Sequence, residues 1–204
     1  MGSQRNRVGK EKILEQAERL FTEQGYESVS IRSIAEACGV TNAALYYHFD
    51  DKSSLFAEVM KRHTRNLKEL LRQAGEGKED PQSKITAMAQ AYVEQVSNRR
   101  PLMFLVRHRA KDLQKKGDQK KLFDMLGDVL EPFEDVFRDA IQKGQVRTFP
   151  ENYSGASILI GMIHGLNVHC WVRKDEMIGD EDVALLVDFF WNGIKPSQPI
   201  EPHA

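Results

Sequence analysis

Apolar residues recur along this chain three and four positions apart almost from end to end, and runs that alternate apolar with polar residues are absent. That period places the apolar side chains on one face of a helix, so the pattern predicts helices and no sheet. The first helix runs from about Val8 to Gln24, with Ile13, Leu14, Ala17, Leu20 and Phe21 on its inner stripe and Gly25 as its stop. Ser30 caps a second helix that opens at Ile31 and turns Ile34, Ala35 and Cys38 inward. Gly39 supplies a left-handed turn residue, and Thr41 caps a third helix that reaches Phe49.

A fourth helix opens near Lys52 or Ser53 and is long, carried by Leu55, Phe56, Val59, Met60, His63, Leu67, Leu70 and Leu71. It ends before Gly75-Glu-Gly-Lys-Glu-Asp-Pro81, the clearest break in the chain. Beyond the break the pattern predicts helices over Ser83 to Val96, from Pro101 through Val106, over Lys120 to Lys143, over Tyr153 to Arg173 and over Asp180 to Ile194. Pro132 lies inside the Lys120 to Lys143 pattern and predicts a kink or a split there. The expectation is an all-α chain of about nine helices: a helix-turn-helix unit over residues 1–55, a second domain over residues 56–195 and a disordered tail over residues 196–204.

The third helix has an unusual outer face. Leu45 and Phe49 lie four apart and turn inward together, which leaves Asn42, Ala43, Tyr46 and Tyr47 outside. A solvated face carries Glu and Lys at such positions. A short helix that shows an amide, small side chains and two phenols fits a groove of duplex DNA.

Composition narrows the classes. The chain has 204 residues, 41% hydrophobic and 29% charged, which supports a sizeable core and argues against a membrane protein. No apolar run reaches the length of a membrane span, and the first residues lack a hydrophobic signal region, so a cytoplasmic location is expected. The net charge of -1 gives no general support for nucleic-acid binding. Arg5, Arg7, Lys10 and Lys12 nevertheless form a local basic arm, opposed by Glu11 alone, that can reach phosphates or serve as an ordinary solvated terminus. Cys38 and Cys170 read as reduced thiols without metal-binding spacing. His164, His169 and Cys170 are close in sequence, but the two histidines point to different helix faces, so no metal is expected. No grouping of acid, base and nucleophile suggests an enzyme, and no cofactor is expected.

Taken together, Ile13-Leu14, Ala17, Leu20-Phe21, Gly25-Tyr26, Ser30, Ile34-Ala35, Gly39-Val40-Thr41, Leu45-Tyr46, His48-Phe49, Lys52 and Leu55 resemble the tetracycline-repressor (TetR) family of bacterial transcription regulators. The resemblance covers about the first quarter of the chain and implies a homodimer whose third helix enters the major groove. It implies base contacts from Asn42, Ala43 and Ala44, with the alanines packing on thymine methyls. Tyr46, Tyr47 and His48 match positions that meet methyls or phosphates, and Lys52 matches a phosphate contact. Ser30, Arg32 and Thr41 complete the expected DNA-binding set, although the two hydroxyls are needed as caps in any case.

The second half is read more loosely. Gly161 and Gly165 lie four apart inside one helix, a cost that close approach of a partner helix would offset, and Val183, Leu186, Val187, Phe190 and Trp191 give the last helix a broad apolar face. These residues are expected at a dimer interface, or else they finish the monomer core. The family resemblance places a ligand cavity among helices five to eight. Candidate lining residues are Met88, Tyr92, Met103, Phe104, Met125, Phe133, Phe137, His164, Asn167 and Trp171, with core packing as the alternative for each apolar one. His164, Asn167, Val168 and Trp171 share one helical face. Arg107, His108 and Arg109 form a solvated cationic face or greet an acidic ligand. The expected function is a ligand-responsive repressor that leaves a palindromic DNA operator when a small hydrophobic molecule binds; an activator or architectural protein without such a ligand is the alternative.

Overall fold

The computed structural model describes residues 9–98, 119–173 and 178–196. Among the described residues there are eight helices and no strand: α1 Lys10–Gln24, α2 Ile31–Cys38, α3 Asn42–Tyr46, α4 Lys52–Gly75, α5 Pro81–Asn98, α6 Gln119–Gln142, α7 Gly155–Arg173 and α8 Asp180–Ile194. The helix expected from Pro101, with Arg107, His108 and Arg109, lies outside the described residues, as do residues 197–204 of the expected tail.

Local chemistry sets the helix starts. The Ser30 hydroxyl accepts from Ser33 N–H at 3.0 Å while the Ser33 hydroxyl accepts from Ser30 N–H at 2.9 Å, a reciprocal cap on α2. Asp51 and Ser54 repeat this device at α4, and Asp80 caps α5 through Ser83 N–H at 2.8 Å. Gly39 ends α2 at φ 68°, which lets Val40 N–H reach back to Ala35 C=O at 3.0 Å. α6 runs through Pro132 as one helix rather than splitting there. The proline forfeits a backbone hydrogen bond, and the burial of Phe133 and Phe137 on its C-terminal side offsets the loss.

Contacts divide the chain into two compact units, Met1–Arg65 with Arg99–Met125, and Asn66–Asn98 with Leu126–Ala204. The first has a core of Ile13, Leu14, Leu20, Phe21, Tyr26, Ile34, Leu45 and Phe49, closed by Leu55, Phe56, Val59 and Met60 from the start of α4. Arg62 ties α4 to α1 through Glu11, Glu15 and Glu18 at 3.2–3.5 Å. The second unit packs Ile85, Met88 and Tyr92 of α5 with Phe133 and Phe137 of α6, Leu159 and Ile163 of α7, and Val187, Phe190 and Trp191 of α8. Among the described residues no helix is long and apolar enough to cross a membrane.

Candidate nucleic-acid interface

In the first unit, the turn after α2 presents α3 with one side anchored and the other open. Leu45 and Phe49 are buried in the core beneath it. Thr41 opens the helix, its hydroxyl accepting from Ala44 N–H at 3.3 Å. The helix proper ends at Tyr46, shorter than the expected reach to Phe49, and Tyr47 and His48 continue as a turn. Asn42, Ala43 and His48 are exposed and Ala44 is half-buried. Tyr46 is 55% exposed and Tyr47 is 85% exposed, and the His48 ring braces Tyr47 edge-on at 5.0 Å. Two large phenols thus stand in water on a capped helix and the turn that follows it, where a solvated face carries charged side chains.

The cations nearby differ in the partners they face. Arg32 donates from Nε to Glu36 Oε1 at 2.9 Å on the exposed side of α2, and that carboxylate raises the guanidinium above its ordinary range. Lys10 is committed to Glu58 at 2.7 Å and stands 5.6 Å from the Phe49 ring, so it braces the unit instead of serving a free arm. Its hydrogen bond to Glu58 pulls that carboxyl below its usual value. Lys52, at the first position of α4, holds Nζ 4.1 Å from the centroid of the Tyr26 ring. Sequence reasoning placed Lys52 on the interface but missed Tyr26; nothing in a helical period pairs those two positions. Arg5 and Arg7 lie outside the described residues.

In the second unit, Met88, Tyr92, Phe133 and Phe137 are buried, and Phe137 packs against Phe149, Phe190 and Trp191. The Tyr92 hydroxyl meets His164 Nε2 at 2.6 Å, joining α5 to α7. Burial raises the phenol well above its ordinary value and lowers the imidazole, so both are neutral at neutral pH. Asn167 is half-buried and donates to Ile163 C=O at 3.4 Å, whereas Val168 on the same expected wall is exposed. Met103 and Phe104, and the side chains of Met125 and Trp171, lie outside the described residues. Among the described residues no group of His, Cys, Asp and Glu is placed to hold a metal ion.

The last helix corrects the expectation for its apolar face. Val183, Val187, Phe190 and Trp191 are buried in the unit's own core, and Leu186 is half-buried against it. What α8 shows outward is Leu185 and Phe189, alongside Ile158, Met162, Val168 and Val172 of α7. The helix is apolar on two sides, and the side expected at a dimer interface or in the monomer core is the one that closes the monomer. Gly161 and Gly165 are exposed, with nothing within 4 Å of where a Cβ would stand.

Comparison with known proteins bears on the same segment. Residues 13–59 match the family model of bacterial regulatory proteins, tetR family. The HTH-type transcriptional regulator AcrR of Shigella flexneri is 50% identical over 58 residues, 28% of this chain and 27% of that protein. The match thus spans about a quarter of the relative's length. A putative TetR-family transcriptional regulator from Mesorhizobium loti superposes with a TM-score of 0.72 at 18% identity, over 90% of this chain and 93% of that one. A protein of unknown function from a Rhodococcus species superposes with a TM-score of 0.78 at 22% identity, over 95% of this chain and 100% of that one. These structural likenesses concern the fold. With its capped helix-turn-helix, the segment over residues 13–59 matches the TetR family of bacterial regulatory proteins, and the chain shares its fold with solved TetR-family structures.

Proposed function

We propose that this chain is a homodimeric transcriptional regulator that holds a palindromic DNA operator through α2 and α3 and leaves it, as a repressor, when a small apolar molecule binds the second unit. The observation that carries the reading is the outward pair Tyr46 and Tyr47, at the end of a helix whose other side is locked into the core and in the turn that follows it. Asn42, Ala43 and Ala44 are the base-edge contacts, and Tyr46, Tyr47 and His48 meet thymine methyls and phosphates. Ser30, Arg32, Thr41 and Lys52 fix the register on the backbone. The helix-turn-helix unit, residues 1–55, reads DNA, and residues 56–195 sense and dimerise.

Dimerisation uses the exposed apolar side of α7 and α8, where the open surroundings of Gly161 and Gly165 admit close approach of a second chain. Two copies of α3 then stand about 34–36 Å apart, one turn of DNA. The effector sits among α5, α6 and α7, with Tyr92, His164 and Asn167 as neutral polar handles among apolar walls. It acts by favouring a conformer with a different spacing of the two reading heads, and α4, which runs through the boundary between the units, transmits the change.

The test is selection from a pool of random duplexes by the purified protein, followed by affinity measurements over a range of salt. Enrichment of a palindrome with half-sites about one helical turn apart, bound more weakly as salt rises, is the expected result. Binding that ignores sequence, or no binding at all, would sink the proposal.

A further inference from the structure

Three carboxylates on α6 straddle a proline. Pro132 has no N–H, so the helix bond to Asp128 C=O is missing, and the proline ring crowds that carbonyl. The stretch from Asp128 to Pro132 is therefore the weak turn of α6. Asp128, Glu131 and Asp135 follow one another at helical spacing, which puts them on one face before, beside and after the proline. Like charges at this spacing repel, which weakens the turn further.

α4 faces them with two cations one turn apart. Lys68 Nζ stands 2.5 Å from Glu131 Oε2 and 3.8 Å from Asp128 Oδ1. Arg72 Nη2 stands 2.8 Å from Glu131 Oε1 and 3.8 Å from Asp135 Oδ2. Each cation grips Glu131 and one further carboxylate, Lys68 on the N-terminal side of the proline and Arg72 on its C-terminal side. The Lys68 side chain is 21% exposed, so salt screens its pairs less than fully solvated ones. Its hydrogen bond holds the Glu131 carboxyl below the ordinary value, which keeps the group charged at neutral pH. Arg138 also reaches Asp135, at 2.8 Å, but it belongs to α6 itself and ties that helix to no neighbour.

We infer that Pro132 is a hinge in α6 and that Lys68 and Arg72 of α4 clamp its two arms together. Bending α6 at this turn either breaks the ion pairs or carries the α4 cations along, so the hinge and α4 move as one device. The inference goes beyond the function proposed above. It concerns α4 and α6 of the free chain and needs neither DNA nor an effector.

The test is amide hydrogen exchange of the full chain, read at Phe133, Glu134 and Asp135, whose helix bonds cross the proline turn, and compared with the amides of α8. Lys68→Met and Glu131→Gln are each made with Pro132 and with Pro132→Ala, which restores the missing helix bond. With Pro132 present, each should speed exchange at these amides about fivefold relative to α8, and Lys68→Arg should leave it slow. On the Pro132→Ala background the acceleration should fall below about twofold, because the turn then holds itself. Raising salt to about 1 M should loosen the same amides in the unmodified chain, and do so less in Glu131→Gln. Equal acceleration on both backgrounds makes the ion pairs ordinary helix stabilisers and overturns the hinge. No acceleration from Lys68→Met overturns the clamp. Should a variant fail to fold, the salt series on the unmodified chain decides: exchange across the proline turn that follows α8 at every salt concentration overturns the inference.

Discussion

Arg32 and Glu36 lie one turn apart on the exposed face of α2, with Nε and Oε1 2.9 Å apart. Both side chains are open to water, so the pair adds little to stability. Its effect is on what the surface offers DNA, since the carboxylate cancels a cation that the proposed interface needs. Glu36→Gln should therefore tighten binding to duplex DNA about two- to fivefold at low salt, with the gain shrinking as salt rises, and leave the unfolding midpoint unchanged. Fluorescence anisotropy over a salt series measures this; equal affinities at every salt concentration would place Arg32 away from the DNA. Such neighbours within one turn are legible in a sequence, as are the Ser30 and Thr41 caps and the αL glycine at position 39. The Tyr26–Lys52 contact is not, because the loop, α2 and α3 separate its partners and only the tertiary fold brings them together.

Helix α7 is held to α5 by the Tyr92–His164 contact, and that pairing has a pH consequence. Burial lowers the His164 imidazole below its ordinary value of 6.5. Between that lowered value and 6.5 the unfolded chain takes up a proton that the folded chain refuses, so stability rises with pH through this window. The contribution is complete above 6.5 and is lost as pH falls toward the folded value, with a slope of at most about 1.4 kcal/mol per pH unit for one proton. Urea unfolding at about pH 5 and about pH 7.5 should show lower stability at the acid end, and His164→Gln should flatten that difference. A variant as acid-sensitive as the wild type would assign the loss to other groups. The existence and approximate span of each described helix could be read from apolar period and caps, and so could the inner faces of α1, α2 and α3, whereas the inner face of α8 could not. α6 had to be seen to show that it continues through Pro132. α8 is apolar on two sides, and a 3.6-residue period does not say which side meets its own core.

Phe189 and Phe190 make that ambiguity testable for the proposed dimer. They are adjacent in sequence and opposite in setting: Phe189 is 66% exposed and Phe190 is 7% exposed. Phe189 lines an open groove of about 560 Å³ together with Phe149, Tyr153, Ile158 and Ile194, with Arg147 among its walls. An exposed phenylalanine on the wall of an apolar groove can meet its own copy across a two-fold axis, as an isologous interface requires. The exposed leucine, valine and methionine side chains around it form the kind of apolar patch that marks an interaction surface. Phe189→Asp should leave the monomer folded, because its ring is largely exposed, while weakening self-association about thirtyfold or more. Loss of the dimer should also weaken operator binding, since a monomer meets one half-site only. Phe190→Asp is the contrasting variant. It buries an unpaired carboxylate in the core of Phe137 and Trp191 and should cost about 4 kcal/mol or more of folding stability. Sedimentation velocity and thermal unfolding of the two variants separate the cases. A folded Phe189→Asp protein that sediments as the wild type does would remove α7 and α8 from the interface, and an unfolded one would place Phe189 in the core.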